Sequence, residues 1–125
     1  MLNESRLIGF LATSDSKRAR DFYENLLGLK LLSEDQFAVV FDANGTMLRI
    51  QIVDHVVPRE YTALGWAVAN IQAEVDGLSR QGVTFCRYDW MEQDVHGIWI
   101  SPNGAKIAWF KDHEGNVLSL TQFGP

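Results

Sequence analysis

The 125-residue chain has a single cysteine, no surplus of positive charge and no long apolar run, and each shortage closes off a class of protein. Cys86 alone cannot form an internal disulfide, so stability must rest on a core, which fits a reducing compartment. Flanked by Phe85 and Arg87 in a strand-like stretch, it reads as a packing residue rather than a nucleophile. Sixteen acids against eleven bases leave a net charge of −5. Binding to phosphate backbones needs a concentrated basic face, so no nucleic-acid partner is expected. No stretch approaches the ~18–20 apolar residues of a membrane span, and "MLNESRLIGF" lacks a charged segment leading into a long apolar one. The expectation is a cytoplasmic protein with no membrane partner. What is there is ample core material, 46% hydrophobic residues in a chain of one-domain length.

Two periods alternate along the chain. "RLIGFLAT" is strand-like, and "SDSKRARDFYENLLG" then places Ala19, Phe22, Tyr23, Leu26 and Leu27 at helical spacing. Ser14 or Asp15 is positioned to cap that helix and Gly28 to stop it. "LKLLSED", "FAVVFD" and "TMLRIQIV" follow as short strands, the last two joined at Ala43-Asn44-Gly45. "VDHVVPREY" has no period and contains Pro58, so it is a linker. The order then restarts with a strand at "ALGWAVA" and a helix at "NIQAEVDGLSRQG", with Asn70 as cap, Ile71, Val75 and Leu78 as the apolar stripe and Gly82 as stop. "VTFCRY", "AKIAWFKD" and "VLSLTQF" are predicted strands. Between the first two of these lies an insert, residues 89–104, "DWMEQDVHGIWISPNG", in which "GIWI" can add a strand and Pro102-Asn103-Gly104 is a turn signal. The fold class predicted is α+β, two tandem βαβββ modules in one domain: module 1 over 1–53, a linker over 54–61 and module 2 over 62–125.

The repeat holds residue by residue where the modules end. Matching Gly45 to Gly115 sets "GTMLRIQI" over "GNVLSLTQ", so that Met47 meets Val117, Arg49 meets Ser119 and Gln51 meets Thr121. Period-two alternation separates an apolar face (Leu48, Ile50, Ile52; Leu118, Leu120) from a more polar one (Met47, Arg49, Gln51; Val117, Ser119, Thr121). Alternation leaves open whether the polar face meets bulk solvent or lines a groove.

The duplicated unit, with "DFYENLLGLKLL" after the first helix and "WFKDHEGNVLSL" near the end, resembles the vicinal oxygen chelate superfamily of glyoxalase I, extradiol dioxygenases and bleomycin-resistance proteins. The resemblance covers nearly the whole chain. It implies a curved mixed sheet with a concave ligand groove, a homodimer, and in enzymatic members a divalent metal held by one His, Gln or Glu from each of four strands. By motif, those four positions fall here on Ile8, Arg49, Ala63 (or Leu64) and Ser119. Two carry no donor atom, Ser119 is a poor neutral ligand and Arg49 repels a cation. The expectation is therefore no metal and no other cofactor.

His113 stands in the turn where relatives carry proline and is expected to be solvent-exposed, as is His55 in the linker. His96, with Glu92 and Asp94, has two readings: a solvated loop, or an unrelated metal or acid–base site on the insert. Ligand-binding candidates are Met47, Arg49, Gln51, Ser119 and Thr121 on the polar face, with Trp90 and Trp99 of the insert as aromatic walls. Trp66 has the parity to pack under the second helix. These residues suit a metal-independent binder of a small anionic or polar molecule. Arg49 disfavours cationic bleomycin itself, because guanidinium prefers carboxylate, phosphate or enolate. The alternative is a lyase, isomerase or dioxygenase-type enzyme with a relocated or metal-free site, its catalytic residues unassigned, in which Arg49 would stabilise an oxyanion. A regulatory protein-binding role would instead require a large exposed apolar patch.

Overall fold

The computed structural model describes residues 1–124 and divides into two compact units, Met1–Val57 and a second beginning at Pro58. The α+β class and the order of the tandem modules are as expected. After a 3-10 turn at Leu2–Glu4, the first unit runs β1 (Ile8–Thr13), α1 (Ser16–Arg20), β2 (Lys30–Glu34), β3 (Ala38–Ala43) and β4 (Thr46–Ile52). Asp15 is the cap, its carboxylate accepting the Arg18 N–H at 3.1 Å. Past Arg20 the helix widens into a π segment, Asp21–Leu26, in which the Leu27 N–H reaches back five residues to the Phe22 carbonyl at 2.9 Å. Ala19 and Tyr23 are fully buried, and the Tyr23 ring lies 6.1 Å from Phe41 of β3.

The first sheet has the order β1-β4-β3-β2, with β1 parallel to β4 and the other pairs antiparallel. Asn44 (φ 51°) and Gly45 (φ 95°) form the two-residue hairpin between β3 and β4, the positive-φ pair that matches the twist of the flanking strands. Leu11, Val39, Phe41, Leu48 and Ile50 form the buried face beneath the helix. Each such side chain contributes roughly 1.5–3 kcal/mol of transfer free energy.

The second unit runs β5 (Thr62–Ala67), α2 (Ile71–Arg80), β6 (Trp99–Ile100), β7 (Lys106–Lys111) and β8 (Val117–Gln122), with sheet order β5-β8-β7-β6. Asn70 caps α2 by accepting the Ala73 N–H at 3.1 Å, and the Gln122 side chain takes the Ile71 N–H at 3.0 Å. Ile71 and Val75 are buried, as are Ala108, Phe110, Leu118 and Leu120 on the helix side of the sheet. Trp66, paired with Leu120 in the register, lies on that side too. Among the described residues no helix is long and apolar enough to cross a membrane.

One predicted strand does not form. Residues 83–88 keep a single backbone bond to the sheet, Cys86 N–H to the Trp109 carbonyl at 2.8 Å. The insert displaces the rest of the ladder. Gln93 accepts the Tyr88 N–H at 2.8 Å and donates to the Cys86 and Gly97 carbonyls at 3.0 and 2.8 Å. It thus satisfies backbone groups that a neighbouring strand would otherwise pair. The edge of β7 is covered instead by the short β6, drawn from "GIWI".

Candidate functional site

In the first unit, strand register arranges the face opposite the helix in rows. Ile8, Met47 and Asp42 share one row, Phe10, Arg49 and Val40 the next, and Ala12, Gln51 and Ala38 the third. Arg49 therefore stands at the centre, with Phe10 and Val40 beside it and Met47 and Gln51 above and below. Val40 is buried, Arg49 and Met47 are half-buried, Gln51 is exposed and Phe10 retains 54% of its surface. Among the described residues the Arg49 side chain makes no hydrogen bond or ion pair. Its charge is felt by Asp35, whose carboxyl is held below the usual carboxylate range by the Phe37 and Ala38 N–H groups first and by Arg49 last. Both N–H groups donate to one Asp35 oxygen, at 2.8 and 3.0 Å. Glu92 and Asp94, the acids of the insert, belong to the other unit. Asp94 is occupied locally, its carboxylate accepting the His96 and Ile98 N–H groups at 2.8 and 2.9 Å.

In the second unit the matching row is Gly65, Ser119 and Trp109. The Trp109 indole N–H donates to Thr62 Oγ1 at 3.1 Å. Thr62 is on β5 and Trp109 on β7, with β8 between them, so the indole extends across β8. Val117 and Ser119 beneath it are accordingly buried, at 3% and 9% exposure. Ser119 also crowds Gly65, where a Cβ would overlap its hydroxyl. Behind Trp109 lie Trp99, at 6.2 Å between ring centroids, and Tyr88, edge-on at 5.7 Å. Trp90 in turn packs on Tyr88 at 5.9 Å but remains 78% exposed. Thr121 is half-buried, one row from Ser119 beside Ile107. The cluster pushes the Tyr88 hydroxyl up to about 12, mainly through burial and secondarily through Cys86 and Glu60. Tyr88 and Trp109 were not among the sequence candidates. Parity within "AKIAWFKD" places Trp109 with Ile107 away from the core, a signal the sequence contained.

Ile8 lies on the Arg49 face, and Ala63 sits at a bulge between Thr62 and Leu64, outside the regular pairing with β8. With Arg49 and buried Ser119, these residues do not provide a donor set for a divalent cation. Among the described residues no three His, Cys, Asp or Glu side chains cluster as metal ligands would. The histidines divide. His55 is exposed, and His96 lies 3.6 Å from Asp76 of α2, a half-exposed pair that ties the insert to the helix. His113 corrects the expectation of an exposed turn residue: its side chain is 6% exposed, 3.7 Å from the equally sheltered Glu114. The turn is built inward around Asp112, whose carboxylate accepts the Glu114 and Asn116 N–H groups at 2.9 Å each.

A cavity of about 360 Å³ opens on the helix side of the second sheet, lined by Asn70, Gln72, Asp94, Ile98, Lys106 and Gln122 among others. The N–H groups at the start of α2 that face it are capped by Asn70 and Gln122. It lies on the opposite side of the sheet from Ser119.

The model of the glyoxalase/bleomycin resistance protein/dioxygenase superfamily matches residues 7–120, and the chain belongs to that superfamily. No functionally curated protein matches it in sequence. Among solved structures, a glyoxalase family protein from Enterococcus faecalis is 20% identical, with a TM-score of 0.76 over 98% of this chain and 100% of that one. A superfamily member from Sphaerobacter thermophilus is 24% identical, with a TM-score of 0.72 over 93% and 96%. A bleomycin-binding protein complexed with bleomycin is 16% identical, with a TM-score of 0.75 over 96% and 99%. Likenesses at these identities establish a shared fold.

Proposed function

We propose that this protein is a metal-independent, cytoplasmic binder of a small anionic or polar molecule, received on the polar sheet face of the first module by Met47, Arg49 and Gln51; the second module's candidates, Thr121, Trp99 and Trp90, form a separate aromatic face. Ser119 belongs to the same set as the floor beneath Trp109. The observation that carries the reading is Arg49: a half-buried arginine, set among Phe10, Val40 and Met47, whose guanidinium has no hydrogen-bonded or ion-paired partner among the described residues. Burying a cation without a partner is costly, and an incoming carboxylate, phosphate or enolate would supply one with bidentate geometry. The bleomycin-binding relative supports small-molecule binding on this fold, while Arg49 directs this chain toward ligands of the opposite charge. The two modules act as one domain in this proposal. The domain self-associates as a two-fold dimer, and a light-scattering mass near the 14.1 kDa chain at tens of micromolar would remove that part.

The test is a thermal-shift screen of small carboxylates, phenolates and phosphates against the native protein and Arg49→Gln. Loss of a charge-assisted hydrogen bond in a sheltered site costs about 1.5–3 kcal/mol, so anionic hits should weaken roughly ten- to hundredfold in the variant. Hits shared equally by both proteins would take Arg49 out of the site.

A further inference from the structure

The row that holds Arg49 also specifies what should accompany the negative charge. Phe10 is the register partner of Arg49 on β1, an edge strand, and leaves 54% of its surface open on the same face. Ile8, two residues earlier on the same face of β1, is likewise open at 44%, so β1 presents Ile8 and Phe10 as an exposed apolar flank beside Arg49. On the other flank Val40 provides a buried aliphatic wall, and Met47 closes the row above. Neighbouring strands are ~4.8 Å apart, so a ring lying over Phe10 would carry an attached carboxylate toward the Arg49 strand, where the long guanidinium stem can meet it. We infer that the Arg49 face selects aromatic carboxylates, with the acid group on the Arg49 guanidinium and the ring stacked on Phe10, and that Phe10 is the residue setting specificity. Asp35 refines the geometry. Its carboxylate lies within electrostatic reach of Arg49 and disfavours an anion on the β2–β3 side, steering the acid group toward β1.

The inference rests on the proposed anion-binding role of Arg49, and the experiment separates the two. Benzoate, cyclohexanecarboxylate and neutral benzamide are titrated calorimetrically into the native protein, Phe10→Ala, Phe10→Leu and Arg49→Gln. The expected result is benzoate tightest, with benzamide binding at least about tenfold weaker because it cannot form the charged contact. Aromatic pairing is worth a factor of about two to ten, so cyclohexanecarboxylate should trail benzoate by that factor in the native protein. Phe10→Ala should erase the difference between them, and Phe10→Leu, which restores apolar area without a ring, should not bring it back. If both acids bind equally and lose affinity equally in Arg49→Gln, the anion site stands and the aromatic selectivity is overturned. If benzoate binds no better than benzamide and Arg49→Gln changes nothing, both are overturned.

Discussion

The two sheets share one plan and use it differently at a single row. In the first module the row reads Phe10, Arg49, Val40, and in the second Gly65, Ser119, Trp109. Each has a small or aliphatic residue, a polar central residue and one aromatic, but the aromatic sits on opposite flanks. On the inner strand β7, Trp109 reaches across β8 to Thr62 and covers the central Ser119. On the edge strand β1, Phe10 leaves the central Arg49 accessible. A charged group needs either water or a partner, so the open row must hold the cation and the roofed row a small neutral hydroxyl. Repetition of a module supplied equivalent positions, and the choice of flank decided which became a floor and which a binding candidate.

The comparison breaks most visibly at its aromatics. Trp109→Ala removes an indole that covers two buried residues and contacts Tyr88 and Trp99, so we expect a loss of about 2–4 kcal/mol in unfolding free energy by denaturant titration. Phe10→Ala should change stability by less than ~0.5 kcal/mol, since a half-exposed side chain away from the core contributes little. Equal costs at the two positions would mean that the Phe10 face is not open.

The next effect is steric. Gly65→Ala sets a methyl against the Ser119 hydroxyl and should cost about 1–3 kcal/mol. In a Ser119→Ala background that hydroxyl is gone, and much of the penalty should disappear. An additive double-mutant cycle would contradict the close approach.

The smallest effect is a titration. Burial raises the Tyr88 hydroxyl to about 12 in the folded protein, above its ordinary value. The folded state holds the proton more tightly than the unfolded one. The associated stability is therefore fully present below the ordinary tyrosine value near 10 and is lost as pH rises through the folded value. Absorbance titration of the native protein and Tyr88→Phe should show one late-ionising tyrosine that the substitution removes. A native curve unchanged in Tyr88→Phe would contradict the sheltered cluster.

Much of this arrangement is legible in the sequence. Alternation in "TMLRIQIV" assigned Leu48 and Ile50 to the core and Arg49 to the other face, because a strand has one period and a slip would bury the charge. Asn70, Asp15 and the Asn44-Gly45 hairpin are local chemistry and appear where local chemistry places them. What stayed hidden depends on distant partners. Gln93 replaces a strand's hydrogen bonds with its own amide, and nothing in "VTFCRY" announces that competitor. The span of Trp109 to Thr62 joins residues 47 positions apart. His113 looked like turn filler because composition reports turns and not which way they fold; Asp112 turns this one inward. Phe10 shared its alternation with Ile8 from the start, yet only the register with β4 identified it as the neighbour of Arg49.

The central claim is that the open row, and not the roofed one, receives an anion. The most direct measurement is residue-assigned NMR of the native protein titrated with benzoate, following backbone amide, arginine side-chain and aromatic signals together. The account predicts saturable shifts centred on Phe10, Val40, Met47 and the Arg49 guanidinium, with Ser119, Trp99 and Trp109 nearly still. Shifts centred on Trp90, Trp99 and Trp109 with Arg49 unmoved would contradict it.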